Sequence, residues 1–186
     1  MKKIIIFASG SGSNAERIAT YFHQKGTAQV SLILCNNPKA GVLTRAKRLA
    51  IPSLVFNRQA FYESDIVLNV LKSQHPDLIV LAGFLWKVPA YLTDAYPHKI
   101  INIHPSLLPK YGGKGMYGSH VHEAVIANAE KESGITIHYV NEHYDEGNII
   151  FQAKTTVLPT DTPDTLAEKI HLLEYEYFPR VIEELL

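Results

Sequence analysis

The chain has 186 residues, 46% of them hydrophobic and 19% charged. That is enough apolar material for one packed core, and it excludes a disordered chain. Eighteen Lys and Arg balance eighteen Asp and Glu, which speaks against a nonspecific nucleic-acid binder, whose surface carries net positive charge.

Lys3 to Ala8 is a short β-branched run closed by Gly10, which predicts a buried strand ending in a turn. Asn14 to Lys25 has Ile18, Tyr21 and Phe22 on one face and Gly26 as its C-terminal stop, the pattern of a helix. Val30 to Cys35 predicts a second strand, ended by Asn36-Asn37-Pro38. Val42 to Leu49 reads as a helix, Ser53 to Phe56 as a short strand, and Ala60 to Gln74 as one longer helix broken at Pro76-Asp77. Leu78 to Ala82 is a strand, Pro89 to Ala95 a short helix, and Lys99 to His104 another strand. This alternation predicts an α/β, Rossmann-like, mostly parallel sheet with helices on both faces.

The pattern then changes. Pro105 to Gly118 is a loop with four glycines and two prolines, followed by a helix over His120 to Ala129. Gly134 to Val140 and Ile149 to Val157 predict an antiparallel hairpin turning at Asp145-Glu146-Gly147. From Thr162 the spacing of Leu166, Ile170, Leu173, Tyr177 and Ile182 predicts one long C-terminal helix. All of this fits a single domain over residues 1–186.

The remaining composition is restrictive. A single cysteine, Cys35, leaves no intramolecular disulfide and no CxxC motif. No apolar run reaches the roughly 18 residues of a membrane span, and Ile4 to Ala8 is too short to follow Met1-Lys2-Lys3 as a signal sequence. The expectation is a soluble, cytoplasmic protein with no membrane and no nucleic-acid partner. No His stands in an HExxH or Cys-paired spacing, so no metal is expected.

Three segments could carry chemistry. In Gly10-Ser11-Gly12-Ser13-Asn14 a glycine-rich turn opens a helix, so backbone N–H groups and the helix dipole can face an anion. Gly10, Gly12 and Ala15 satisfy the loose dinucleotide fingerprint, but the acid expected about 20 residues later is missing at Cys35-Asn36-Asn37. A single phosphate therefore fits better than a dinucleotide, with a plain strand-to-helix turn as the bland alternative. In Asn102-Ile103-His104-Pro105, Asn102 and His104 share one strand face at the carboxyl end of the last parallel strand, where open α/β sheets bind ligands. An amide and an imidazole side by side suit an oxygen that gains negative charge. The third segment, Asn141 to Gly147, reads as a solvated turn unless a carboxylate comes close to His104, where it would tune the ring.

Together these segments resemble the folate-dependent formyltransferases, specifically the phosphoribosylglycinamide formyltransferases. The resemblance rests on Ser9-Gly10-Ser11-Gly12-Ser13-Asn14, on Asn102-Ile103-His104-Pro105-Ser106-Leu107-Leu108-Pro109, and on Asp145-x-Gly147 before Ile149-Ile150-Phe151-Gln152, in the family's order and spacing. It implies formyl transfer from 10-formyltetrahydrofolate, a co-substrate, to the amine of glycinamide ribonucleotide in purine (IMP) biosynthesis, with no metal and with the chain a monomer or homodimer. It implies Asn102, His104 and Asp145 as catalytic residues; the expected mechanism has the Asn102 amide and a protonated His104 stabilise an oxyanion, with Asp145 favouring the imidazolium. Gly10, Ser11, Gly12, Ser13 and Asn14 would hold the ribonucleotide phosphate, with His171 and Glu174 also approaching the ribonucleotide.

Folate contacts are implied for Arg58, for Leu85, Trp86, Lys87 and Val88, and for Asn141, Glu142, His143 and Tyr144. Residues 1–100 would form a nucleotide-binding half, and residues 101–186 a catalytic and folate-binding half. Many relatives carry Met-Arg-Ile or a similar run at Leu85-Trp86-Lys87, and some carry a Gln at His171 and a shorter loop at 112–118, which is expected to act as a mobile lid here. A tRNA formyltransferase would carry a further C-terminal domain and a basic surface, and a formyltetrahydrofolate hydrolase a further N-terminal domain. A sugar-nucleotide formyltransferase and a non-catalytic nucleotide-binding module are the remaining alternatives.

Overall fold

A computed structural model describes residues 1–186. Its centre is a seven-stranded sheet in the order β3-β2-β1-β4-β5-β6-β7. The strands are β1 (Lys2–Ala8), β2 (Ala28–Cys35), β3 (Ser53–Val55), β4 (Leu78–Leu81), β5 (Ile100–His104), β6 (Glu132–Tyr139) and β7 (Ile149–Thr156). β1 to β5 are mutually parallel, and β6 and β7 join antiparallel, β6 against β5 and β7 against β6. The chain leaves β1 towards β2 and β3, then crosses back to place β4 on the other side of β1. The carboxyl ends of β1 and β4 therefore diverge, and such a switch point opens a crevice.

The central strands are apolar on both faces because both are covered. Ile4 to Ala8 are nearly inaccessible, as are Leu78 to Leu81. One face packs α1 (Ser13–Lys25), α2 (Gly41–Arg48) and α7 (Pro163–Leu185) around Ile4, Ile6, Ile18, Phe22, Ile170 and Phe178. The other packs Ile5, Phe7, Phe61, Val67 and Leu71 beneath α3 (Arg58–Tyr62) and α4 (Ile66–Gln74). A short α5 (Ala90–Ala95) precedes β5, and α6 (Ser119–Ala127) precedes β6.

The expected helix over Ala60 to Gln74 is two helices. Asn57 Oδ1 accepts from the Ala60 N–H at 2.9 Å, which starts α3 at Arg58. Ser64 then donates its hydroxyl to the Ala60 carbonyl at 3.2 Å and accepts from the Ile66 N–H at 3.4 Å. A serine competing for backbone groups in this way interrupts the helical ladder between the two helices. At the other end of the chain, Thr162 and Thr165 form a reciprocal cap that fixes the start of α7.

Candidate active site

The crevice is a cavity of about 690 Å³ above the carboxyl ends of β1, β4 and β5. It gathers Gly10, Ser11, Gly12, Ser13 and Asn14 with Leu85, Asn102, His104, Tyr144, Asp145, His171 and Glu174. Both the first hundred residues and the rest of the chain contribute to it.

The glycine-rich loop sits at the start of α1, where Gly12, at φ 77°, supplies no side-chain cap. The first-turn N–H groups are thus left for another acceptor. α2 braces the loop from behind: the Val42 N–H donates to the Gly10 carbonyl at 3.0 Å, and Arg45 Nε donates to the Ser11 carbonyl at 2.8 Å. Glu16 holds the Arg45 and Arg48 guanidinium groups. Ser9 is buried and ties the two sides of the crevice together, its hydroxyl accepting from the Leu85 N–H at 3.0 Å. Asn14 Nδ2 donates to Glu174 Oε2 at 2.9 Å, and His171 Nδ1 lies 2.9 Å from the same oxygen. That contact raises the His171 pKa above its ordinary value, against a smaller opposing effect of burial.

The segment after β5 is pinned from beneath. Thr136 Oγ1 donates to the Ser106 carbonyl at 2.7 Å and accepts from the Leu108 N–H at 3.0 Å, while Gln152 donates to Thr136 and to the Leu108 carbonyl. This rigid seat presents Asn102 and His104. His104 Nδ1 lies 3.5 Å from Asp145 Oδ2, and its Nε2 lies 2.7 Å from the Tyr111 carbonyl. A carbonyl only accepts, so Nε2 carries the hydrogen and Nδ1 of the neutral ring is bare. Burial pushes the His104 pKa down and outweighs the pull of Asp145.

Asp145 stands in the left-handed region at φ 56°. Its carboxylate accepts from the Gly113 N–H at 3.0 Å, which fastens the loop 112–118 across the cavity. Burial alone would raise its pKa, but positive charge on the His138 and His104 rings, when they are protonated, and the Gly113 N–H together hold it below the ordinary carboxylate range.

His138 belongs to this cluster and was missed in the sequence. It stands opposite Asn102 in the β5–β6 register. Its Nδ1 lies 2.9 Å from the Tyr139 carbonyl and so carries a hydrogen. Nε2 then accepts from Asn102 Nδ2 at 3.1 Å, which orients the amide and leaves its second N–H uncommitted. Asp145 Oδ1 is 3.6 Å from the same ring. His122 was also missed: it is 5% exposed, lines the cavity, and its Nδ1 has no partner. The sequence holds one signal for it, the i, i+2 offset that puts His120 on the opposite, exposed side of α6.

The remaining expected residues lie outside this cavity. Lys87, Val88, Glu142 and His143 line a neighbouring hollow with Tyr62, and Asn141 lines another with Glu142 and His143. Arg58 and Trp86 line none of these three. The Arg58 guanidinium stacks 4.9 Å from the Trp86 ring centre and 5.8 Å from that of Tyr62, a cation held over aromatic faces. No three His, Cys, Asp or Glu side chains group so as to hold a metal ion, and no helix is long and apolar enough to cross a membrane.

Residues 2–182 match the Formyl transferase family. The chain is 39% identical to the phosphoribosylglycinamide formyltransferase of Bacillus subtilis, with 100% of this chain and 95% of that protein covered. It is 38% identical to the chloroplastic phosphoribosylglycinamide formyltransferase of Arabidopsis thaliana over 97% of its length, but spans 64% of that longer relative. The crystal structure of glycinamide ribonucleotide transformylase 1 from Geobacillus kaustophilus has a TM-score of 0.89 to it at 36% identity, with 100% of this chain and 99% of that one covered. The chain belongs to the formyl transferase family, on the branch whose members are named phosphoribosylglycinamide formyltransferases.

Proposed function

We propose that this protein transfers a formyl group from 10-formyltetrahydrofolate to the amine of glycinamide ribonucleotide. The observation that carries the reading is the convergence of Asn102, His104 and Asp145 in the same cavity as an uncapped, glycine-rich helix start. A phosphorylated amine and a reacting carbonyl need those two features in one cavity. In this reading the loop Gly10–Asn14 binds the phosphate, and Glu174 with His171 takes the ribose side of the ribonucleotide. Arg58, already stacked on Trp86, meets the anionic tail of the folate, and the segments 85–88 and 141–144 flank its ring.

The chemistry follows from the protonation states. The amine lone pair forms a bond to the formyl carbon, and the carbonyl π electrons move to oxygen. The free N–H of Asn102 stabilises that oxyanion; a single such donor is worth about 3 kcal/mol. The amine proton passes to the bare Nδ1 of His104, and Asp145 at 3.5 Å stabilises the imidazolium so formed. Positive charge thus appears beside the oxyanion only when negative charge develops, which stabilises the transition state more than the ground state. Collapse breaks the bond from carbon to the folate nitrogen, which takes the proton as it leaves.

The test is loss of 10-formyltetrahydrofolate on adding glycinamide ribonucleotide, against water and an amino-sugar nucleotide as acceptors. Turnover with the ribonucleotide alone is expected, and Asp145→Asn should lower kcat by roughly two orders of magnitude or more. Turnover confined to water or the sugar acceptor would overturn the substrate, and a wild-type rate in Asp145→Asn would overturn the mechanism.

A further inference from the structure

The hydrogen-bond acceptor that fixes the His104 tautomer is a main-chain atom, the Tyr111 carbonyl, and a side chain outside the cavity holds it in place. Tyr111 sits at φ 56°, a conformation that residues with a Cβ avoid. Its ring packs against the core, and its hydroxyl donates to Glu130 Oε1 at 2.9 Å. Lys110 Nζ reaches both Glu130 oxygens, at 3.0 and 3.2 Å, and the Ser106 hydroxyl donates to the Lys110 carbonyl at 2.7 Å. Lys110, Tyr111 and Glu130 are all absent from the cavity lining.

We propose that Glu130 and Tyr111 are positioning residues that lock the His104 imidazole with a hydrogen on Nε2 and turn Nδ1 towards Asp145. With the hydroxyl of Tyr111 anchored, its backbone is held in the left-handed turn, and the carbonyl stays 2.7 Å from Nε2. Without the anchor the turn relaxes, the buried N–H loses its acceptor, and the ring is free to place its hydrogen on Nδ1, where it cannot accept a proton. The other groups facing His104 are Asp145, His138 from β6, Glu174 from α7 and His122 from α6. Of these, Asp145 also holds the Gly113 N–H, two residues beyond Tyr111. The tautomer claim stands on the geometry; its kinetic consequence rests on the proposed formyl transfer.

The experiment is ring-nitrogen NMR of histidine-labelled, substrate-free protein at pH 7.5, with steady-state kinetics alongside. The wild type should show His104 with protonated Nε2 and bare Nδ1. Tyr111→Phe and Glu130→Ala should each reduce the Nε2–H population. Each should lower kcat by about three- to ten-fold, the scale of one hydrogen bond, with both KM values within about twofold. The acid limb of kcat should move to lower pH, because the lost carbonyl favoured the protonated ring. Glu130→Gln still offers an oxygen to Tyr111 and should behave as the wild type. Unchanged His104 signals and kcat in Tyr111→Phe would overturn the proposal, and if that variant does not fold, the same result in Glu130→Ala would. A wild type without formyl-transfer activity would refute the proposed function and leave the tautomer to be decided by the spectra.

Discussion

Three glycines separate two costs that are usually confounded, and Gly12 at the mouth of the phosphate loop carries both. Its φ of 77° penalises any L side chain, and an added Cβ would lie 2.5 Å from Val42 Cβ and Cγ2 and 2.7 Å from Val42 Cα. Gly26, at the end of α1, has a φ of 70° but nothing within 4 Å of the added atom. Gly10 has neither problem. A left-handed residue with a Cβ costs about 1–2 kcal/mol. Forcing a methyl into a packed site costs about 1–3 kcal/mol more, and the upper end applies here because Val42 Cα is backbone of α2 and cannot rotate away. Alanine at Gly26 should therefore cost ~1–2 kcal/mol, at Gly12 ~4–5 kcal/mol, and at Gly10 nothing, or a gain of up to ~1 kcal/mol through the unfolded chain. Urea unfolding of the three variants measures this directly. Gly12→Ala should also raise the ribonucleotide KM, because relief of the clash displaces the loop from α2. Equal destabilisation at Gly12 and Gly26 would refute the contact with Val42 as a constraint on the loop.

Arg45→Ala removes the donor that holds the Ser11 carbonyl, and at a half-exposed site about 1 kcal/mol is expected. The ribonucleotide KM should rise about fivefold, with the folate KM unmoved; an equal rise in both would remove Arg45 from the phosphate loop. Trp86→Ala frees Arg58 to wander, and a cation–π contact of ~0.5–1 kcal/mol predicts a folate KM two- to fivefold higher, partly restored in Trp86→Phe. No change in either variant would show the stack to be irrelevant to the folate. Burial lowers the pKa of both His104 and His122 from 6.5. Below pH 6.5 the unfolded chain binds more protons at these sites, so stability should be full above that pH and fall as pH drops through the folded values. Melting temperatures between pH 5 and 7 should show this slope, and His122→Gln should flatten it; a variant as steep as the wild type would contradict the assignment.

The sequence by itself determined the alternation of strands and helices, the antiparallel hairpin and the long last helix. Their signals are local: β-branched runs, helical spacing, and a glycine or threonine at the ends. It also placed Asn102 and His104 on one face, because strand alternation needs no partner. It could not separate α3 from α4, where the hydroxyl of Ser64 competes for backbone groups that a helical pattern assigns to the ladder. Tertiary structure alone decided that His138, 36 residues from Asn102, stands against it, since strand order β4-β5-β6 has no local signature. Long-range placement likewise brings Glu130 to Tyr111 and Trp86 to Arg58. The direction of the His104 pKa shift belongs to the same class. An aspartate beside a histidine pulls the ring towards protonation, and the opposing cost of desolvation is set by everything packed around it, which only the folded chain determines.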